Sequence, residues 1–155
     1  IFNMLQNRLD LNGASVLDLF AGSGSLGFEA LSRGADDVVF VDDAAHVLDL
    51  IEKNAAILGC TDQCHFIQAD AERFVSSSRE EFDLIFADPP YAFPGTISIP
   101  EAVCERKLLK KGGLLIIEHI RKASFPSSPL FSMTERREFG NTHVSFFISQ
   151  SSDAL

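Results

Sequence analysis

No uninterrupted apolar run in this 155-residue chain approaches the ~20 residues that a bilayer-spanning helix needs, so no transmembrane helix is expected. The opening Ile1-Phe2-Asn3-Met4-Leu5-Gln6-Asn7-Arg8 lacks the layout of a secretory signal, which points to a cytoplasmic protein without a membrane partner. It also lacks an initiator methionine, so residues upstream are expected. Cysteine is scarce. Cys60, Cys64 and Cys104 are too few and too odd in number for a disulfide framework, and read as reduced structural thiols. Cys60 and Cys64 lie four apart, but no second Cys or His pair completes a ligand set. His46, His65, His119 and His143 are scattered, so no metal is expected.

Positive charge is also in short supply. Thirteen Lys and Arg face 22 Asp and Glu, a net charge of −9, which argues against broad attraction to nucleic acid. The deficit is uneven: residues 1–105 carry 5 basic and 18 acidic side chains, and residues 106–155 carry 8 and 4. Arg106, Lys107, Lys110, Lys111, Arg121, Lys122, Arg136 and Arg137 can form a modest basic face, or simply a solvated surface.

What the chain has is one domain's worth of residues, 46% hydrophobic, in an alternating pattern of apolar runs and helical periods. Strands are predicted at Ser15–Phe20, Asp37–Val41, Cys64–Gln68, Phe82–Ala87 and Leu114–Glu118. Helices are predicted at Ser25–Arg33, Ala44–Leu58 (with Leu48, Ile51, Ala55 and Leu58 on one face and Gly59 as the stop), Ala71–Ser77, and from Pro100 to about Leu109. Lys110–Gly113 reads as the turn into the fifth strand. Such alternation implies a parallel sheet covered on both faces, an α/β Rossmann-like arrangement. Ser132–Phe139 and Thr142–Ser149 flank Gly140-Asn141, a hairpin signal that predicts an antiparallel last strand. Ser124–Ser132 is the expected mobile connection.

Two segments carry chemistry. Val16-Leu17-Asp18-Leu19-Phe20-Ala21-Gly22-Ser23-Gly24-Ser25-Leu26-Gly27 runs from a strand through a glycine-rich turn into a helix, the arrangement that holds a nucleotide-like cofactor. Gly22 and Gly24 permit positive φ and close backbone approach, and free amides at the helix start favour a ligand carboxylate. Phe20, Ala21 and Ser23 complete the loop. Asp42, twenty positions after Gly22 at the next strand's end, suits two ribose hydroxyls. Asp18, Asp42, Asp70 and Asp88 fall at successive strand ends. They would repel a pyrophosphate and attract a sulfonium and an ammonium, which favours S-adenosylmethionine over a dinucleotide. Asp18 can instead brace the loop, Asp43 can cap the following helix, and Asp70 can cap its own.

The second segment, Asp88-Pro89-Pro90-Tyr91, follows a buried strand and sets a carboxylate, two rigid prolines and an aromatic ring at its carboxyl end, where open α/β sheets bind ligands. An exocyclic amine on a base is a poor nucleophile. Catalysis therefore needs acceptors for its hydrogens and close placement against the methyl group. Asp88 supplies one acceptor, the Pro89 carbonyl a second, and Tyr91 can stack on an extruded base. Phe93 either joins that stacking or anchors the loop. Glu118 reads as structural, and Asn54 as a packing or capping residue.

Leu17–Gly24, Leu26-Gly27, Glu29–Ala35, Phe40-Val41-Asp42 and Phe82–Tyr91 together resemble the RsmD family, bacterial 16S ribosomal RNA guanine-N2 methyltransferases. The resemblance covers nearly the whole chain. It implies a seven-stranded class I methyltransferase fold in a single domain, 1–155, with S-adenosylmethionine as donor. The implied acceptor is a guanine of 16S rRNA, within a 30S subunit or an assembly intermediate. It implies Gly22 and Gly24 in the cofactor loop, Asp42 at the ribose, Asp70 and Ala71 at the adenine, and Asp88–Tyr91 at the target amine. Asp42 stands where the family pattern has glutamate, and the family's basic amino-terminal arm is absent here, so cofactor binding without strong RNA binding is expected. A DNA adenine-N6 methyltransferase uses the same tetrapeptide, but there is little room for a target-recognition insert. A protein-glutamine methyltransferase typically has asparagine at the Asp88 position. A catalytically inactive cofactor-binding or interaction domain is the remaining alternative. Monomer is the default state.

Overall fold

The computed structural model describes residues 1–5 and 8–150; residues 6, 7 and 151–155 of the expected 1–155 domain lie outside the described residues. Its elements run α1 (Phe2–Leu5), β1 (Ser15–Leu19), α2 (Ser25–Ser32), β2 (Asp37–Asp42), α3 (Ala45–Leu58), β3 (Cys64–Gln68), α4 (Ala71–Ser77), β4 (Phe82–Ala87), α5 (Ile99–Glu105), β5 (Leu109–Ile120), β6 (Phe131–Phe139) and β7 (Thr142–Ser149). One seven-stranded sheet has the order β3-β2-β1-β4-β5-β7-β6. The first five strands are mutually parallel, and β7 pairs antiparallel to both β5 and β6. This is the class I methyltransferase arrangement. The order reverses between β1 and β4, so their carboxyl ends splay open there and create a crevice.

Burial explains the strand signal. Val16, Leu17, Val38, Phe40, Val41, Leu84, Ile85, Leu115 and Ile117 are all covered, because helices, the amino-terminal segment and the connection carrying Phe125 and Leu130 lie on the two faces. Phe2, Leu5, Phe40, Phe86 and Phe146 fill one face; Leu17, Phe82, Ile85, Val103, Leu115 and Phe147 fill the other. The first face also receives the amino terminus, where the Phe2 ring packs 5.5 Å from Phe86 and under the Arg33 guanidinium.

Several expectations change. α5 ends at Glu105, and the chain re-enters the sheet at Leu109 because the Phe82 amide bonds the Leu108 carbonyl at 2.7 Å. Lys110–Gly113 is therefore a bulge inside one long β5, with pairing that jumps from Phe82↔Leu109 to Leu84↔Leu114. Gly112 takes φ +82° there. The 124–132 connection is pinned by Phe125, whose ring sits edge-on to both Phe147 (4.9 Å) and His119 (5.0 Å). Asn54 is exposed in mid-α3 and neither packs nor caps. Leu58 is exposed as well, so α3's buried face is Leu48, Ile51 and Ala55. The Gly140-Asn141 turn forms as expected, with Gly140 at φ +64°. All three cysteines are free, and burial pushes the Cys64 thiol up to about 12. Among the described residues no group of three His, Cys, Asp or Glu side chains could hold a metal, and no helix is long and apolar enough to cross a membrane.

Candidate active site

The turn after β1 is built by backbone more than by side chains. Phe20 leaves the strand at φ +61°, a left-handed conformation that non-glycine residues seldom adopt and that concentrates at functional sites. The Ala21 amide then bonds the Val41 carbonyl at 2.9 Å, lashing the loop to β2. Gly22 turns outward at φ +55°. Asp42 fastens this corner: its Oδ2 accepts from the Gly22 amide at 3.1 Å and its Oδ1 from the Ala44 amide at 3.0 Å. Asp42 therefore opens α3, and the capping expected of Asp43 does not occur.

The glycines divide their work. Gly22 lines the cleft. Gly24, at φ +79°, closes the turn through its amide to the Ala21 carbonyl at 2.8 Å, and a Cβ there would crowd Phe28 and Ile51. Its close approach is to the core. A Cβ on Gly27 would overlap the Phe40 ring, so this glycine lets α2 lie flat on β2. The amides expected to be free at the α2 start are partly spoken for: Ser25 bonds Ser23 Oγ at 3.3 Å, and Gly27 bonds Asp18 Oδ2 at 3.0 Å.

Asp18 is thus a brace, 2% exposed, behind the loop rather than in the cleft. Burial, reinforced by the charges of Asp88 and Asp42, pushes its carboxyl up to about 7, although the Gly27 amide pulls the other way. Asp70 is the N-cap of α4, accepting from the Arg73 amide at 3.1 Å, while remaining exposed to the cleft. Phe20, Gly22, Asp42, Asp70, Ala71 and Asp88 come together around a cavity of about 340 Å³. Ala21, Ser23, Gly24 and Asp18 support it from outside its wall. None of its lining residues is cationic. Four carboxylates line it with no basic partner, and the unpaired buried acid behind them is strained by their charge. This donor set fits a cationic ligand with hydroxyls to donate, such as S-adenosylmethionine, and opposes a pyrophosphate.

A second cavity, about 530 Å³, lies on the other side of Asp88. Pro89, Pro90 and Tyr91 form one wall, and Glu118, Lys122, Ala123 and Thr142 the facing one. The Phe93 amide bonds the Pro90 carbonyl at 2.9 Å, which curls the loop back; no donor among the described residues takes the Pro89 carbonyl. Tyr91 is 76% exposed, its ring offered at the mouth. Phe93 packs edge-on to Phe20 at 5.0 Å, so it anchors this loop to the glycine loop. Asp88, Pro90 and Phe93 border both cavities.

Burial raises the Asp88 carboxyl above its ordinary range, opposed by a hydrogen bond from Glu118. Glu118 is raised by burial, by the charge of Asp88 and by its side-chain bond to Asp88. Reading Glu118 as structural from sequence missed this pairing. The available signal was an acid at the carboxyl end of the strand beside Asp88.

Three residues of the expected basic face are engaged within the fold. Arg136 spends its guanidinium on the Ala123 carbonyl (3.0 Å), the Arg121 carbonyl (2.9 Å) and His143 Nδ1, bracing the turn beside the second cavity. Arg137 pairs with Glu135 and Lys110 with Asp83. His119 is buried: its Nδ1–H donates to the Ile120 carbonyl at 2.9 Å and Nε2 accepts from Ser145 Oγ at 2.7 Å, and burial lowers its pKa.

The family model described as Conserved hypothetical protein 95 matches residues 1–148. A Bacillus subtilis protein named "Putative rRNA methyltransferase YlbH" is 34% identical over 151 residues, covering 95% of this chain and 81% of that one. The Haemophilus influenzae ribosomal RNA small subunit methyltransferase D is 36% identical over 121 residues, 76% of this chain and 62% of that protein. A solved structure of a conserved hypothetical protein from Streptococcus pyogenes superposes with a TM-score of 0.85 at 30% identity, over 95% of this chain and 91% of that one.

Proposed function

The chain belongs to the RsmD family of ribosomal RNA methyltransferases, and from that premise we propose that it methylates the exocyclic N2 amine of a guanine in 16S rRNA, with S-adenosylmethionine as donor. The observation that carries this reading is the shared wall. Asp88 faces an acidic, cation-seeking cavity on one side and an aromatic-rimmed cavity on the other.

The cofactor, when bound, supplies an electrophilic methyl group on a positively charged sulfur. Asp42 keeps lone pairs beyond its two amide bonds and would accept from the ribose hydroxyls. Asp70 and Ala71 would meet the adenine edge. Tyr91 would stack on the extruded base, and Asp88 with the Pro89 carbonyl would accept the two amine hydrogens, turning the nitrogen lone pair toward the cofactor side. No strong base is required, because the amine's surplus proton leaves to water after transfer. We read the whole chain as one domain working as a monomer in the cytoplasm. The substrate is a small-subunit particle or an assembly intermediate, whose proteins would supply contacts that a chain of net charge −9 lacks.

Tritiated methyl transfer to small-subunit particles, naked 16S rRNA and duplex DNA tests the reading. Label in N2-methylguanosine from particles is the expected result. Label in N6-methyladenosine from DNA, or none anywhere, would defeat it.

A further inference from the structure

Glu118 is left over once the cofactor cavity and the Asp88–Tyr91 segment have been assigned. Strands β4 and β5 are parallel neighbours, with Ala87 opposite Ile117. The next residue along each is Asp88, just past the end of β4, and Glu118, still within β5 and paired with Val144 of β7, so the two acids stand side by side at the sheet's carboxyl edge. Both line the same 530 Å³ cavity. Among the described residues Glu118 forms no ion pair with a lysine or arginine. Its carboxyl is half-buried, and burial together with the charge of Asp88 raises its pKa.

Two acids set side by side cannot easily both ionise and tend to hold a proton between them, so they make a site wanting two adjacent donors that offset both charges. Guanine's Watson–Crick edge presents that pattern: N1–H beside the 2-amino group. Adenine and 2-aminopurine present a bare, accepting N1 instead. We propose that Glu118 accepts the N1–H of the target guanine while Asp88 accepts a hydrogen of its N2 amine, which makes Glu118 the residue that selects guanine. The shared proton leaves to solvent through the cavity mouth as the base enters. Lys122 on the facing wall and Tyr91 at the mouth lie in the same cavity; His119 also borders it, with its Nε2 taken by Ser145 Oγ. A base lacking N1–H would leave an ionised Glu118 facing a lone pair, the kind of unpaired contact that a polar site rejects strongly.

This inference rests on the guanine-N2 reading, and the test separates the two. The methylated guanine is first mapped by nucleoside mass spectrometry. 16S rRNA is then ligated with guanine or with 2-aminopurine at that position and assembled into particles. The wild-type protein is expected to prefer guanine by roughly 10–100-fold in kcat/KM, the range for one unpaired polar contact. Glu118→Gln carries an amide that can donate to a bare N1. It should bring the two substrates within about threefold of each other, with affinity for S-adenosylhomocysteine by calorimetry unchanged. Equal use of both bases by the wild type overturns the inference while leaving the reaction intact, as does an undiminished preference in a folded, cofactor-binding Glu118→Gln. Absence of any methyl on guanine N2 with the wild type overturns the reaction itself, and the inference with it.

Discussion

At the scale of single residues, each acid on the crevice has a distinct job set by its surroundings. Asp88 is the one acid among the described residues that lines both cavities. Asp88→Ala is expected to cut kcat by roughly 10²–10⁴-fold, as for loss of a positioned proton-accepting group, while S-adenosylmethionine affinity changes only a few-fold; stopped turnover assays and calorimetry read the two separately. Gly27 shows that a motif glycine need not serve the ligand. Gly27→Ala forces a methyl into Phe40 and is expected to cost about 1–3 kcal/mol of stability in urea unfolding, as overpacking does. The glycines, Asp42 and Asp88–Tyr91 were legible in sequence because short motifs report local backbone requirements. The burial of Asp18 and the pairing of Glu118 with Asp88 were not, because both depend on which strands lie next to each other.

At the scale of elements, the strand and helix pattern was readable wherever burial was uniform. Every strand from β1 to β4 falls within one residue of its expected bounds. It failed at β5, where Lys110-Lys111-Gly112-Gly113 carries turn chemistry but sits inside a strand. The reason is a tertiary clamp. Asp83 accepts from the Ser15 amide at 2.9 Å and from Lys110 Nζ at 3.2 Å, so a β4 side chain ties the start of β1 to the bulge of β5. Asp83→Ala leaves the Ser15 amide unpaired and is expected to destabilise by about 1–3 kcal/mol. Chemical denaturation measures this, and hydrogen exchange should show the loss concentrated at Ser15 and the 110–113 bulge.

At the scale of the molecule, one seven-stranded sheet concentrates negative charge at a single crevice, and that has a consequence for stability. Asp18 titrates near 4 when unfolded and at about 7 when folded. Between those values the folded state holds a proton that the unfolded state has released, so stability falls as pH rises from about 4 to 7. A shift of this size corresponds to a destabilisation on the order of 4 kcal/mol, complete above pH 7 and absent below about 4. Asp88 and Glu118 act in the same direction. Asp18→Asn keeps an acceptor for the Gly27 amide, so urea unfolding from pH 4 to 8 should show it gaining on the wild type steadily with pH. A gap independent of pH would refute the assignment.

Sequence by itself determined the α/β class, the antiparallel hairpin, the glycine loop and the Asp88–Tyr91 segment. Each is written in contiguous residues through apolar period, glycine conformation or proline rigidity. Only the tertiary structure decided that Asp18 braces while Asp42 lines the cleft, that Arg136 is spent on the Arg121–Ala123 turn, and that Glu118 stands against Asp88. Those facts follow from strand order and register, which bring together residues 9 to 70 positions apart that no local pattern connects.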